Sequence, residues 1–202
     1  MSYPIFIGKK EDGFLILDKD EAHHAFVKRI KPDYFIRVND LNGHIYLAKV
    51  LEVSKKHLKA KILEELTTNE THLKITLYLC APNQLSKVDE LIPFITELGV
   101  YRFIPVICKN SAVKEKDILK KIEKWKKITL NSIKQCERLY PVIIEKPIKL
   151  KDIPSDAELN VLFYEREKNE TLKNYCQLSV KKVNVVIGNE GGFTQDEVSI
   201  LA

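Results

Sequence analysis

The stretch Val185-Val186-Ile187-Gly188-Asn189-Glu190-Gly191-Gly192-Phe193-Thr194 decides how the chain is read. An apolar run gives a buried strand and the glycines give a tight turn. Thr194, with Glu197 three residues on, gives the capping pattern that opens a helix. Strand, glycine turn and helix together are the local form of an α/β domain. In open parallel sheets, ligands bind beyond the carboxyl ends of the strands. The glycines allow close approach and leave backbone N–H and C=O groups free for a ligand. Glu190 places a fixed negative charge in the turn. The pattern is neither G-x-G-x-x-G nor a phosphate loop ending in Gly-Lys-Ser/Thr, and a carboxylate repels phosphate. A cationic or neutral ligand suits it better, and S-adenosylmethionine carries a sulfonium and an amino group. The same residues also make a plain strand–helix turn in which Glu190 faces the positive end of the next helix. The pattern alone leaves both readings open.

Working outward from this turn, strands and helices alternate. Ile75–Leu79 is a strand. Val88–Leu98 is a helix with Val88, Leu91, Ile92 and Ile95 on one face and Gly99 at its C-cap. Phe103–Cys108 is a strand, and Lys116–Lys134 is a longer helix with the stripe Ile118, Ile122, Trp125, Ile128 and Ile133. Trp125 could stack on a base, but its place in that stripe reads as core. Val142–Ile144 is a short strand. Leu159–Tyr164 and Val183–Ile187 are the nearly continuous apolar runs of buried parallel strands. This alternation predicts an α/β domain, a parallel sheet covered by helices, over 71–202.

The beginning of the chain reads differently. Tyr3–Ile7, Phe14–Leu17, Tyr34–Val38, His44–Val53 and Leu58–Leu63 are short strands joined by turns, which predicts a small β-barrel over 1–70. One helix interrupts them, from Asp20 as N-cap to Ile30, with Phe26 and Ile30 on one face. The polar run Thr67–His72 marks the boundary between the two domains.

The chain has 202 residues and a net charge of +5. The charge is uneven. Residues 1–70 hold 12 Lys/Arg against 11 Asp/Glu, whereas residues 101–151 hold 14 against 5. A polyanion is the natural partner of such a segment; a solvated lysine-rich helix is the equally weighted alternative. There is no apolar run of about 20 residues and no leader pattern at the N-terminus, so no membrane association and a cytoplasmic setting are expected. Cys80, Cys108, Cys136 and Cys176 show no C-x-x-C, so no metal site is expected. Neither are disulfides, and all four cysteines read as small apolar fillers.

The glycine turn extends to Ile187-Gly188-Asn189-Glu190-Gly191-Gly192-Phe193-Thr194-Gln195-Asp196-Glu197, which resembles the I-G-P-E-G-G-F-S-x-x-E signature of the RsmE-type methyltransferases. Three further stretches agree in order. Thr96-Glu97-Leu98-Gly99-Val100, followed by Phe103-Ile104-Pro105, is similar to the family's T-E-L-G-V segment. Trp125 and Ile128 with Gln135, Arg138 and Pro141 are similar to its W-x-x-I…Q-x-x-R…P helix. His23-His24 with Val27 and Arg29 resembles the H-H element of its N-terminal domain.

That resemblance implies a PUA-like RNA-binding barrel over 1–70 and a SPOUT domain with a trefoil knot over 71–202, working as a homodimer. It implies methylation of N3 of a uridine in 16S ribosomal RNA, within the small ribosomal subunit, with S-adenosylmethionine as cofactor. The cofactor would be held by Ile187, Gly188, Asn189, Gly191 and Gly192, with Tyr164 and Glu165 as a neighbouring wall. Glu190 is the candidate base. Lys28, Arg29, His23, Gln135 and Arg138 are the candidates for RNA. The alternative is a non-catalytic RNA binder that uses the barrel and the basic helix. A dinucleotide-dependent dehydrogenase is disfavoured because no G-x-G-x-x-G follows an early strand.

The sequence departs from the family at Asn189, where proline is usual, and at Phe94 and Asn131, where a basic and an acidic residue are common. The family pattern continues with L-G-x-R-I-L-R-x-E-T-A after the last helix, whereas the sequence given stops at Ala202. The expectation is therefore an incomplete knot with weak cofactor binding and exposed apolar surface along Val183–Ile187.

Overall fold

The computed structural model describes residues 3–68, 70–168, 170–175 and 177–201. Cys176 and Ala202, both read above, lie outside the described residues. The chain divides into two compact units, one of residues 1–70 with 133–140 and one of residues 71–132 with 141–202.

The first unit holds β1 (Ile5–Ile7), β2 (Lys9–Glu11), β3 (Phe14–Leu17), α1 (Lys19–Val27), β4 (Phe35–Asn39), β5 (Ile45–Val53) and β6 (Leu58–Leu66). Its sheet runs β1-β4-β5-β6-β3-β2. The pairings are antiparallel except β1 with β4. Alternate residues point inward, so Phe6, Leu15, Leu17, Ile36, Val38 and Leu58 form one buried cluster, with Ala22 and Ala25 of α1 packed into it. This is the curled sheet that the short strands predict. Two details of α1 differ from the sequence reading. Asp18 caps the helix, its Oδ1 accepting from the N–H groups of Asp20 and Glu21 at 3.0 Å each. The buried face is Ala22 and Ala25, and Phe26 is left 43% exposed. The helix stops because Arg29 turns left-handed at φ 59°. The Ile30 N–H then reaches back to the Ala25 carbonyl (3.1 Å), which returns Ile30 to the core.

The sequence reading assigned residues 133–140 to the second domain, but polar contacts tie them to the first unit. Arg37 grips Glu137 through Nη1 and Nη2 at 2.7 and 2.8 Å. The Asn39 amide donates to the carbonyls of Arg138 and Leu139. Buried Leu139 packs with Ile5 and Ile45.

The second unit holds β7 (Lys74–Cys80), α2 (Leu85–Glu97), β8 (Arg102–Ile107), α3 (Glu115–Leu119), α4 (Ile122–Cys136, of which 133–136 count with the first unit), β9 (Ile143–Ile144), β10 (Ile148–Lys149), β11 (Leu159–Phe163), β12 (Lys182–Ile187) and α5 (Gln195–Leu201). Its sheet runs β10-β8-β7-β12-β11, with β9 also paired to β8, and every pairing is parallel. Side-chain alternation feeds two cores. Leu77 and Phe103 pack with Val88, Ile92 and Trp125, while Tyr78, Ile104 and Val186 pack with Leu150 and Phe193. Asn184 fixes the β11–β12 register by donating to Asn160 Oδ1 across the paired positions (2.9 Å).

The single helix expected over Lys116–Lys134 is two. After α3 the Lys121 N–H bonds to the Ile118 carbonyl (2.8 Å), and α4 then starts with Trp125 N–H on the Lys121 carbonyl. The break keeps Ile118, Ile122 and Trp125 inward. Fully buried Trp125 meets Phe103 edge-on. Its Nε1 donates to Asp89 Oδ1 (2.7 Å), and Lys121 and Lys124 close on Asp89 Oδ2.

Three other expectations are corrected. Cys80 and Cys108 form a disulfide rather than serving as fillers. They end up adjacent because they lie at the carboxyl ends of neighbouring parallel strands, a register that spacing along the chain does not reveal. Cys136 is free and half-buried. Val183 and Val186 are covered rather than exposed, since β12 lies inside the sheet between β7 and β11. Leu159–Phe163 is, among the described residues, an edge strand, with Phe163 46% exposed. Among the described residues, no helix is long and apolar enough to cross a membrane.

Candidate functional site

Because the second sheet is parallel, the segments after β7, β8, β11 and β12 leave it at one end. The glycine turn after β12 is closed by Gly192 N–H on the Asn189 carbonyl (3.0 Å). Gly192 has φ 63°, a conformation side chains disfavour. A Cβ there would stand 2.7 Å from Glu165 Oε1, and one on Gly191 would stand 3.2 Å from Asn110 Cβ. The turn thus packs too closely on its neighbours for any larger residue, and it places Glu165 of the neighbouring segment beside Gly192. Phe193 is buried and lies against Gly188.

Two carboxylates tie this end together. Glu197, 6% exposed, caps α5 by accepting from the N–H and hydroxyl of Thr194, and its other oxygen accepts from Lys109 N–H at 2.8 Å. Burial opposes its charge, but these donors outweigh that and hold its carboxyl below the ordinary range. Glu190 accepts from Lys87 Nζ at 2.6 Å and from Asn83 N–H at 3.2 Å. Lys87 first, then its own N–H and that of Asn83, push its carboxyl down to about 2. Glu190 is therefore ionised at any ordinary pH and weakly basic.

A cleft of about 540 Å³ lies along β11 and α5, bordered by Leu162, Tyr164, Glu167, Tyr175, Val198 and Leu201. Of the residues the sequence assigns to a cofactor, Tyr164 lines this cleft, while Glu165, Ile187, Gly188, Asn189, Gly191 and Gly192 gather at the turn.

The residues read as RNA contacts belong to the first unit. His23, Lys28 and Arg29 are exposed on α1 and its end. Lys28 Nζ lies 5.7 Å from the Phe6 ring centre. Neighbouring His24 stays neutral more readily than an ordinary histidine, through burial first and then the charges of Lys134 and Lys28. Gln135 is exposed. Arg138 is held against Glu70 by Nε (2.9 Å) and Nη2 (2.8 Å). The sequence reading did not single out Lys87, Asn83, Asn110 or Lys109. The signal for Lys87 was a cation near the start of a helix, which is too common to be informative.

Residues 69–202 match the model of the RNA methyltransferase domain, and residues 17–63 match that of the RNA methyltransferase PUA domain. The chain is 38% identical over 201 residues to the ribosomal RNA small subunit methyltransferase E of Aquifex aeolicus, covering 98% of this chain and 86% of that protein. This chain belongs to the ribosomal RNA small subunit methyltransferase E family. The family member of Rickettsia conorii is 31% identical over 187 residues, covering 89% of this chain and 75% of that protein. Among solved structures, the small subunit methyltransferase E of Neisseria gonorrhoeae bound to S-adenosyl methionine has the same fold, at a TM-score of 0.85 and 24% identity over 98% of this chain and 84% of that one. A methyltransferase of Legionella pneumophila in complex with that cofactor matches at 0.84 and 23% identity, covering 100% and 86%. The N-terminal curled sheet and C-terminal parallel α/β domain of this chain are thus the family's fold.

Proposed function

We propose that this chain transfers a methyl group from S-adenosylmethionine to N3 of a uridine in 16S ribosomal RNA, acting in the cytoplasm on the small ribosomal subunit as a homodimer with a trefoil-knotted second unit. The observation that carries the reading is the glycine turn at the carboxyl end of the parallel sheet, in a chain of this family. S-adenosylmethionine supplies an electrophilic methyl on a sulfonium. Ile187, Gly188, Asn189, Gly191 and Gly192 offer it backbone groups, and Tyr164 and Glu165 form the adjoining wall. The fit rests on the bare backbone of Gly191 and Gly192, packed so closely against Asn110 and Glu165 that a Cβ would clash, and on Glu165 and Glu190, which favour a cation over a phosphate.

N3 carries a proton and lies on the pairing edge of uracil, so the base must leave its helix before reacting. Much of the rate then comes from alignment. We assign Glu190 to that alignment. Held ionised by Lys87, it accepts a hydrogen bond from a donor in the site, and its low basicity leaves the N3 proton to water. His23, Lys28 and Arg29 form the exposed basic end of α1 offered to RNA phosphates. Gln135 joins them. Arg138, engaged by Glu70, holds that segment in place.

Calorimetric titration with S-adenosylmethionine tests the reading, alongside methyl transfer to undermethylated small subunits with the modified base located by mass spectrometry. Saturable binding that Gly191→Val abolishes, with one methyl on one uridine N3, is expected. RNA binding without cofactor binding would replace the enzyme by a non-catalytic RNA binder.

A further inference from the structure

The side-chain amide of Asn189 is used in three directions. Nδ2 donates to the Asn110 carbonyl at 3.2 Å and to the Ala81 carbonyl at 3.4 Å. Oδ1 accepts from Gly191 N–H at 3.0 Å. Ala81 follows β7 and Asn110 lies in the segment after β8, so one side chain joins the glycine turn to the segments following two other strands of the sheet. Its backbone carbonyl closes the turn with Gly192. The fit is close, since a Cβ at Gly191 would stand 3.2 Å from Asn110 Cβ and 3.4 Å from Asn189 Oδ1.

We propose that Asn189 is a positioning residue of the cofactor site, whose amide sets the shape of the Gly188–Gly192 turn before any ligand arrives. The inference rests on reading that turn as the S-adenosylmethionine site. A glycine-rich backbone has the most conformational freedom to lose on binding, and freedom removed beforehand tightens the ligand. A proline here would fix φ covalently. Asn189 restrains the same point by hydrogen bonds. Its φ is not positive, and Gly188 before it accommodates a following proline. Both ends of the amide are in use, so the isosteric aspartate fails: its carboxylate would face two carbonyl oxygens.

The test compares the intact chain with Asn189→Ala, Asn189→Asp and Asn189→Pro in two measurements. Amide hydrogen exchange without ligand reads the turn itself, and calorimetry with S-adenosylmethionine reads the site. In Ala and Asp, Gly191 and Gly192 exchange faster while the amides of β12 do not change, and affinity falls by roughly tenfold. Pro stays within about threefold of the parent. Parent-like exchange and affinity in Ala overturn the proposal. So does a Pro variant as weak as Ala, which would assign the amide to direct ligand contact. If the parent itself does not bind S-adenosylmethionine, the functional reading fails, while the exchange rates still decide whether Asn189 holds the turn.

Discussion

Arg138 places Nε and Nη2 on a single carboxylate oxygen of Glu70, at 2.9 and 2.8 Å, while the other oxygen accepts from Leu139 N–H at 3.0 Å. The side chains are only 12% and 18% exposed. Arg138→Ala leaves Glu70 without its cation in a mostly covered place, and a loss of about 2–4 kcal/mol follows. Chemical denaturation should show that loss, with Arg138→Lys in between because an ammonium cannot reproduce the fork. An Arg138→Ala protein as stable as the parent but weaker on RNA would move Arg138 from a structural to a nucleic-acid role.

The pair Glu190–Lys87 predicts a pH response. Glu190's carboxyl is pushed down to about 2, so it contributes no inflection to the rate profile at neutral pH. A group depressed on folding adds stability above its ordinary pKa and loses it as pH falls toward the folded value. Lys87→Met removes the main cause and moves the carboxyl back toward the ordinary range. Carbon-detected NMR titration of the side chain checks this, and a parent Glu190 that titrates like a free glutamate would sink it.

Glu197→Gln keeps the shape of the α5 cap but weakens its acceptors, at a cost of about 1 kcal/mol. The parent's advantage is present at neutral pH and fades on acidification, as the carboxyl, held below its ordinary range, takes up a proton. Melting curves of both proteins from neutral to acidic pH should converge; a constant gap contradicts the assignment.

Cys80 and Cys108 are 28 residues apart, and a crosslink over that span adds about 2–4 kcal/mol. Alkylation of the denatured chain without reductant should spare these two cysteines, and reduction should lower the melting temperature. Four reactive thiols in the unreduced protein would refute the bond.

The parallel sheet, the helix after its first strand and the glycine turn were legible in the sequence because periodicity and turn residues are local signals, whereas the break between α3 and α4 was not. Trp125 fell on an apolar stripe and is buried. Other features depend on strand register, which local signals do not carry. Cys80 meets Cys108, and Asn189 reaches Asn110, only because three strands end at one level. Asp18 and Asp20 are both plausible caps by type, and only backbone geometry selects Asp18. Of the candidate site residues, Ile187 to Gly192 were legible as a group because they are contiguous in one turn. Lys87 and Asn83 were missed because their importance comes from the carboxylate they meet.

The position of β12 between β7 and β11 also bears on how the chain acquires its structure. Lys182 pairs with Lys74, so β7 waits about a hundred residues for its neighbour. At ribosomal rates of about 5–20 residues per second, one backbone edge of β7 stays open for several seconds or more while β8 is already made. The earlier unit's sheet has no such gap, since its strands are complete by Leu66, and only the segment carrying Leu139 joins it later. During synthesis the second sheet is therefore the one with an edge open to mispairing, and to capture by chaperones that recognise bare strands.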